Sequence, residues 1–210
     1  MNIALGAHPS GAASRKSAMG PNVVTAGYGD NVVIKSFVVE RPTVIKGLSA
    51  IEGVIEISWR IPRPARDVWV YLKDSNSWQN RYGYYWDGIV GDEEGYIVHL
   101  SDKTNHYGAG IPYFVRKVVP ERLIYLESPW LPTAQQDGAW SGHNVIALDE
   151  RNGESLIAIF MEHTWQSQAQ SVESLRQTVQ AAVDAAMTFW REYFIPDLES
   201  LVLKSPASAS

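Results

Sequence analysis

Asn144 and His163 are the pair of residues whose types could do chemistry together, provided that the stretches carrying them meet. An imidazole exchanges a proton near neutral pH. A carboxamide orients a carbonyl or a water with one end that donates and one that accepts. The two residues stand in "WSGHNVIALDE" and "ESLIAIFMEHTW", alternating stretches separated by Arg151-Asn152-Gly153. Asn-Gly is the strongest two-residue hairpin signal, because a type I′ turn needs positive φ at both central positions. With Asn152-Gly153 as that turn, Arg151 pairs with Glu154. Leu148 then falls opposite Ile157, Ile146 opposite Ile159, Asn144 opposite Met161, Gly142 opposite His163, and Trp140 opposite Trp165. The other face carries His143 opposite Glu162, with Ala158 and Phe160. The first face is the more apolar and should point inward. Asn144 and His163 would then be polar groups among Ile, Met and Trp, an arrangement that suits an acid–base pocket. A loop one residue longer would shift the register and bring Ala158, Phe160 and Glu162 opposite the Asn144 face. A satisfied core histidine is the competing reading of His163.

Other residues join the candidate set as pocket lining. Trp59, Trp140, Met161, Trp165 and Trp190 fall on inward-facing positions. Tyr84 and Trp86 share a strand face with Tyr82. His106 lies in the Gly-containing loop "DKTNHYGAG", a place from which to gate a pocket mouth, or to be exposed. His99 alternates with Val98 and Leu100 and should face solvent. In the hairpin around Pro120-Glu121, Arg116 and Glu127 share one face, and Tyr113, Val115 and Leu126 the other. The pattern does not choose between these faces. An inward Arg116 would call for an anionic ligand; an outward one would be a solvated pair.

Composition narrows the classes. The chain of 210 residues has eight Trp and ten Tyr, 45% hydrophobic residues, a net charge of -5 and no cysteine. Disulfides and thiolate metal sites are excluded, and an acidic chain lacks the basic surface that nucleic acids need. The five histidines form no ligand cluster, so neither a metal nor a cofactor is expected. P-loop, dinucleotide, HExxH and GxSxG motifs are missing. No apolar run approaches the roughly 20 residues of a membrane span, and no signal peptide opens the chain, so the expected location is cytoplasmic.

The elements that must position the candidate site follow from the periods. Residues 1–22 and 204–210 read as flexible tails. Residues 23–50, with "NVVIKSFVVE", read as an extra strand or arm that pairs with an edge of its own sheet or a partner's, which would allow a homodimer. Residues 51–203 read as one domain. A strand alternates up to Ile61, Pro62 ends it, and Pro64 suits the first turn of a short helix. Six short strands follow, the hairpin at Pro120-Glu121 reading as a type I turn. From Val172 to Leu201 apolar residues recur at three and four, one long amphipathic helix. Ser167 and Gln170 have capping-box spacing at its start, and Pro196 should kink its end.

That order, with "IPRPARDVWVYLKDSNSW" near its start, "VVPERLIY" at 118–125, "NGESLIAIFMEHTW" at 152–165 and "FWREYFIPDLESLV" in the last helix, resembles the START-like or helix-grip (SRPBCC) superfamily over roughly residues 50–203. The resemblance implies an α+β fold: a curved antiparallel sheet wrapped around a long C-terminal helix, with two short helices after the first strand. It also implies an internal pocket between sheet and helix for a small hydrophobic, aromatic or polycyclic molecule. Pro62 and Pro64 would turn the chain sharply into the helices that plug the concave side, with Trp59 facing inward and Trp69 packing the wedge. Two functions then compete. One is an enzyme similar to the polyketide cyclase, aromatase and dehydratase branch, a lyase-type activity with His163 as general acid or base and Asn144 or a tyrosine donating to an oxyanion. The other is a carrier or sensor whose polar groups only orient the ligand.

Overall fold

The structure, a computed structural model, describes residues 22–24, 31–73, 84–87, 94–95, 97–102, 111–132 and 138–206. Nine strands form one antiparallel sheet: β1 (Asn22–Val24), β2 (Val32–Glu40), β3 (Ser49–Ile61), β4 (Tyr84–Asp87), β5 (Ile97–Asp102), β6 (Ile111–Val119), β7 (Leu123–Pro132), β8 (Gly138–Arg151) and β9 (Glu154–Ser167). Their order is β1-β2-β3-β9-β8-β7-β6-β5-β4. Helix α1 (Ala65–Lys73) follows β3, and α2 (Val172–Phe189) and α3 (Ile195–Lys204) follow β9. The second short helix expected after the first strand would lie at 74–83, outside the described residues. Within the 23–50 segment, β2 pairs with β3 from Val32↔Trp59 to Glu40↔Ile51 and so extends its own sheet.

The concave face is apolar because strand side chains alternate with period two. Ile55, Ile57, Trp59 and Ile61 of β3 align with Met161, Ile159, Ile157 and Ser155 of β9. Ile146 and Leu148 of β8 continue these rows. Leu175, Val179, Val183 and Met187, one face of α2, are buried with them. Helix α2 comes close to the sheet at Gly53: a Cβ there would stand 2.6 Å from Val183 Cγ2 and 3.1 Å from Val179 Cγ1.

The Pro62-Arg63-Pro64 corner is held on three sides. Ser155 Oγ donates to the Arg63 carbonyl at 2.7 Å. The Arg63 guanidinium donates to the carbonyls of Leu203 and Ser205, 3.2 Å each, in the last turn and at the C-cap of α3. Glu150 accepts from the Ala65 amide at 2.8 Å, satisfying one orphan N–H of the α1 start. Val68, Trp69 and Leu72 then turn into the core.

Two local expectations need correction, and the region of Pro196 gains detail. Glu121 has φ 60, and Arg122 N donates to Val119 O at 2.9 Å, so the Pro120-Glu121 turn is type II; positive φ at the third position defines that type. The N-cap of α2 is Ser171, which accepts from Ser174 N; Ser167 instead accepts from the amides of Ala169 and Gln170 one turn earlier. The backbone stays right-handed helical up to Pro196, with an irregularity just before it. A π turn, Trp190–Phe194, separates α2 from α3, with Ile195 N donating to Trp190 O, and Pro196 sits in the first turn of α3, where its missing N–H costs little.

Gly53→Ala is expected to push α2 off the sheet and to cost about 1–3 kcal/mol, the usual range for overpacking. Urea denaturation of the two proteins measures it, and an unchanged midpoint would show that Val183 yields freely.

Candidate functional site

Asn152 (φ 56) and Gly153 (φ 76) are both left-handed, the I′ turn that the Asn-Gly pair calls for. The register it sets runs from Arg151↔Glu154 through Asn144↔Met161, Gly142↔His163 and Trp140↔Trp165. The shifted register is not the one formed. Ile146, Leu148, Ile157, Ile159 and Met161 are buried, while Ala158 and Phe160 on the other face are exposed.

His163 occupies a row of small neighbours. Gly53 of β3 flanks it on one side, and Gly142 of β8 on the other, with buried Ser128 of β7 beyond. Its Nε2 lies 3.1 Å from Asn144 Oδ1. Asn144 is also hydrogen-bonded to the hydroxyl of Tyr113, so the three side chains form one chain. The imidazole packs against two indoles, with ring centroids 5.6 Å from Trp140 and 5.8 Å from Trp165. The indoles themselves are stacked at 6.5 Å. Trp140, Asn144, His163 and Trp165 are half-buried, unlike the sealed isoleucine rows beside them.

Burial pushes the His163 pKa down to about 4, with a smaller contribution from His143, so the ring is neutral at pH 7. Burial raises the Tyr113 hydroxyl to about 12, opposed by its bond to Asn144. Tyr113 is therefore a donor at every physiological pH.

The structure brings together His163, Asn144, Tyr113, Trp140, Trp165 and Met161. It does not bring Trp59 to them. Trp59 is fully buried opposite Ile157, six residues along β3 from Gly53, about 20 Å away at the usual rise; its Nε1 has no hydrogen-bond partner. Trp190 packs on Phe194 at 4.5 Å and Phe189 at 5.9 Å, in the aromatic cluster of the π turn. Tyr84 and Trp86 lie on β4, and His99 on β5, where the backbone alone is described; His106 lies outside the described residues. The open question of the β6–β7 hairpin is closed: Tyr113, Val115 and Leu126 are buried, and Arg116 meets Glu127 at 2.6 Å on the outer side. A bulge between Val115 and Lys117 accommodates Arg116. Sequence reading missed the two glycines, although glycine inside a strand marks a close approach. It also missed Glu52, buried on the outer face. Burial raises the pKa of this carboxyl against the opposing Arg41, which binds it at 2.6 and 2.5 Å. Among the described residues no group of three metal-ligating side chains occurs.

A sheet gripping one C-terminal helical segment, with a helix inserted after β3, defines the helix-grip fold. Protein MLL2253 from Mesorhizobium loti is similar over 81% of this chain and 98% of its own, at 15% identity and a TM-score of 0.52. CalU16 from Micromonospora echinospora is similar at 17% identity, covering 81% and 92%, with a TM-score of 0.41. Truncated norcoclaurine synthase from Thalictrum flavum follows at 12%, covering 75% and 97%, with a TM-score of 0.46. At such identities the likeness is one of fold, and it is the first that carries it. No protein-family model and no curated protein matches the sequence. No described helix is long and apolar enough to cross a membrane.

The depressed His163 pKa has a consequence for stability. Between pH 6.5 and about 4 the unfolded chain takes up a proton that the folded chain refuses, so stability falls as pH drops through that window and levels off below it. The loss should reach about 3 kcal/mol, and His163→Gln should lack that component. Denaturation midpoints of both proteins across pH 7 to 4 compare them; parallel curves would mean that His163 titrates normally.

Proposed function

We propose that the concave face binds a small, largely apolar, aromatic or polycyclic molecule against Trp140, His163 and Trp165. The observation that carries this reading is the half-burial of three stacked or tilted rings on a face whose other rows are closed. Large aromatic surfaces left partly open on an inward face gain most from a flat ligand. Tyr113 and Asn144 supply the few convergent polar groups that fix orientation in such sites. Residues 51–203 form the ligand-binding unit in this reading.

Binding and orientation form the first reading, that of a carrier or sensor. A histidine with a pKa of about 4 is protonated in roughly one molecule per thousand at pH 7, which makes it a weak acid–base catalyst and a good neutral hydrogen-bonding group. The Tyr113–Asn144–His163 chain favours a second reading, acid–base turnover of the cyclase or dehydratase kind. There Tyr113 or Asn144 is the donor to a developing oxyanion, Asn144 through its amide N–H, since its oxygen accepts from His163.

The test uses 8-anilinonaphthalene-1-sulfonate as probe and the molecule that co-purifies with the chain, identified by mass spectrometry, as competitor. The probe should bind about once per chain and quench tryptophan emission. Trp140→Leu and Trp165→Leu should each weaken it by about 2- to 10-fold. His163→Gln then separates the readings: a change of about 2- to 10-fold in affinity alone fits a carrier, and a loss of about 10²–10⁴ in turnover fits an enzyme. Unaltered probe binding in both tryptophan variants would sink the assignment of the site.

A further inference from the structure

The two glycines beside His163 are there for different reasons. Gly53 is accounted for by α2. Gly142 is not: the three atoms nearest to a Cβ built at 142 all belong to His163, with Cδ2 at 2.0 Å and Cγ and Nε2 at 2.8 Å. No real Cβ tolerates such distances, so the imidazole occupies the place where any other residue would put its side chain. The Cδ2–Nε2 edge of the ring rests on β8. That edge also carries the nitrogen held by Asn144, two residues along the same face, at 3.1 Å. A carboxamide oxygen can only accept, so Nε2 bears the proton and Nδ1 keeps its lone pair. Nδ1 lies on the opposite edge, turned away from Gly142, and no described residue hydrogen-bonds it.

We propose that Gly142 is a positioning residue: it seats the His163 imidazole edge-on against β8, with Nε2 committed to Asn144 and Nδ1 left as the ring nitrogen that meets the ligand. The role of Nδ1 rests on the binding reading above; the seat does not. On a half-buried ring packed against Trp140 and Trp165, Nδ1 is an acceptor in an aromatic setting. It matches a flat molecule that brings a hydroxyl donor to the ring edge.

Two measurements on the full chain test this. In nitrogen-15 NMR, His163 should show a protonated Nε2 and a bare Nδ1 at pH 7. Addition of 2-naphthol should move the Nδ1 resonance and leave Nε2 protonated, and 2-methoxynaphthalene, which lacks the donor, should bind several-fold more weakly. A proton on Nδ1 in the free protein, or a response confined to Nε2, overturns the proposal. The second measurement is a double-mutant cycle. Gly142→Ala should lower the denaturation midpoint and move the His163 pKa back up toward that of a free imidazole. In the His163→Ala background the same change should leave the midpoint unaltered or raise it, because the space is then empty. Equal losses in both backgrounds overturn the seat, whatever the probes do. Failure of both naphthalenes to bind, with the cycle intact, overturns the binding reading and the role of Nδ1 with it.

Discussion

The turn at Asn152-Gly153 joins two strands of 14 residues each, and every assignment on the concave face depends on its register. Side chains on a strand alternate with period two, so a slip of one residue would send His163 to the outer face and Glu162 to the inner one. Two left-handed residues in succession prevent that slip, since the I′ turn accepts only two central positions. The interior then follows by rows: Trp140 with Trp165, Gly142 with His163, Asn144 with Met161, Ile146 with Ile159. β3 and β7 add their own members to each row, so one turn organises four strands.

Along those rows the concave face divides in two. Toward the turn, Ile57, Trp59, Ile124, Ile146, Leu148, Ile157 and Ile159 form a sealed apolar block, reinforced by α1, whose start is held by Glu150. Each fully buried aliphatic side chain of that block contributes about 1.5–3 kcal/mol. At the far end of the strands the residues become glycine, asparagine, histidine and tryptophan, and burial becomes partial. The stable end is the one that α3 and the proline corner close through Arg63 and Ser155. The polar, aromatic end takes no part in that closure.

The outer face shows a different use of polar groups. Arg60–Glu154, Arg116–Glu127, Lys117–Glu94 and Arg151–Asp149 are exposed ion pairs, each worth little beyond solubility. His143, the outward neighbour of Asn144, contacts Tyr125 at 3.1 Å and stays half-exposed. A shallow groove of about 310 Å³ runs across the same face, lined by Val33, Lys35, Glu56, Ala158 and Phe160 among others. The same alternation that made His163 an interior residue made its cross-strand relative an ordinary surface one.

Much of this was legible in the residues themselves. Alternation located the strands, the three- and four-residue recurrence located the long helix, and Asn152-Gly153 set the register that paired Gly142 with His163, because these are local effects of turn chemistry and side-chain period. The sequence also determined what is excluded, with no cysteine to cross-link and no basic excess. Tertiary structure alone decided how the strand faces meet other elements. Trp59 and Trp190 had the same inward-facing pattern as Trp140 and Trp165, and packing sent the first into the isoleucine block and the second into the π-turn cluster with Phe194. The β6–β7 hairpin had two equivalent faces until its order in the sheet turned Tyr113 inward beside Asn144. The alternation pattern does not show Gly53 and Gly142 as close approaches, because what fills the space beside a glycine, here a valine of α2 and the ring of His163, comes from another part of the chain. Distance through space is not encoded in any window of sequence, and the neutral state of His163 follows from that distance and the burial it brings.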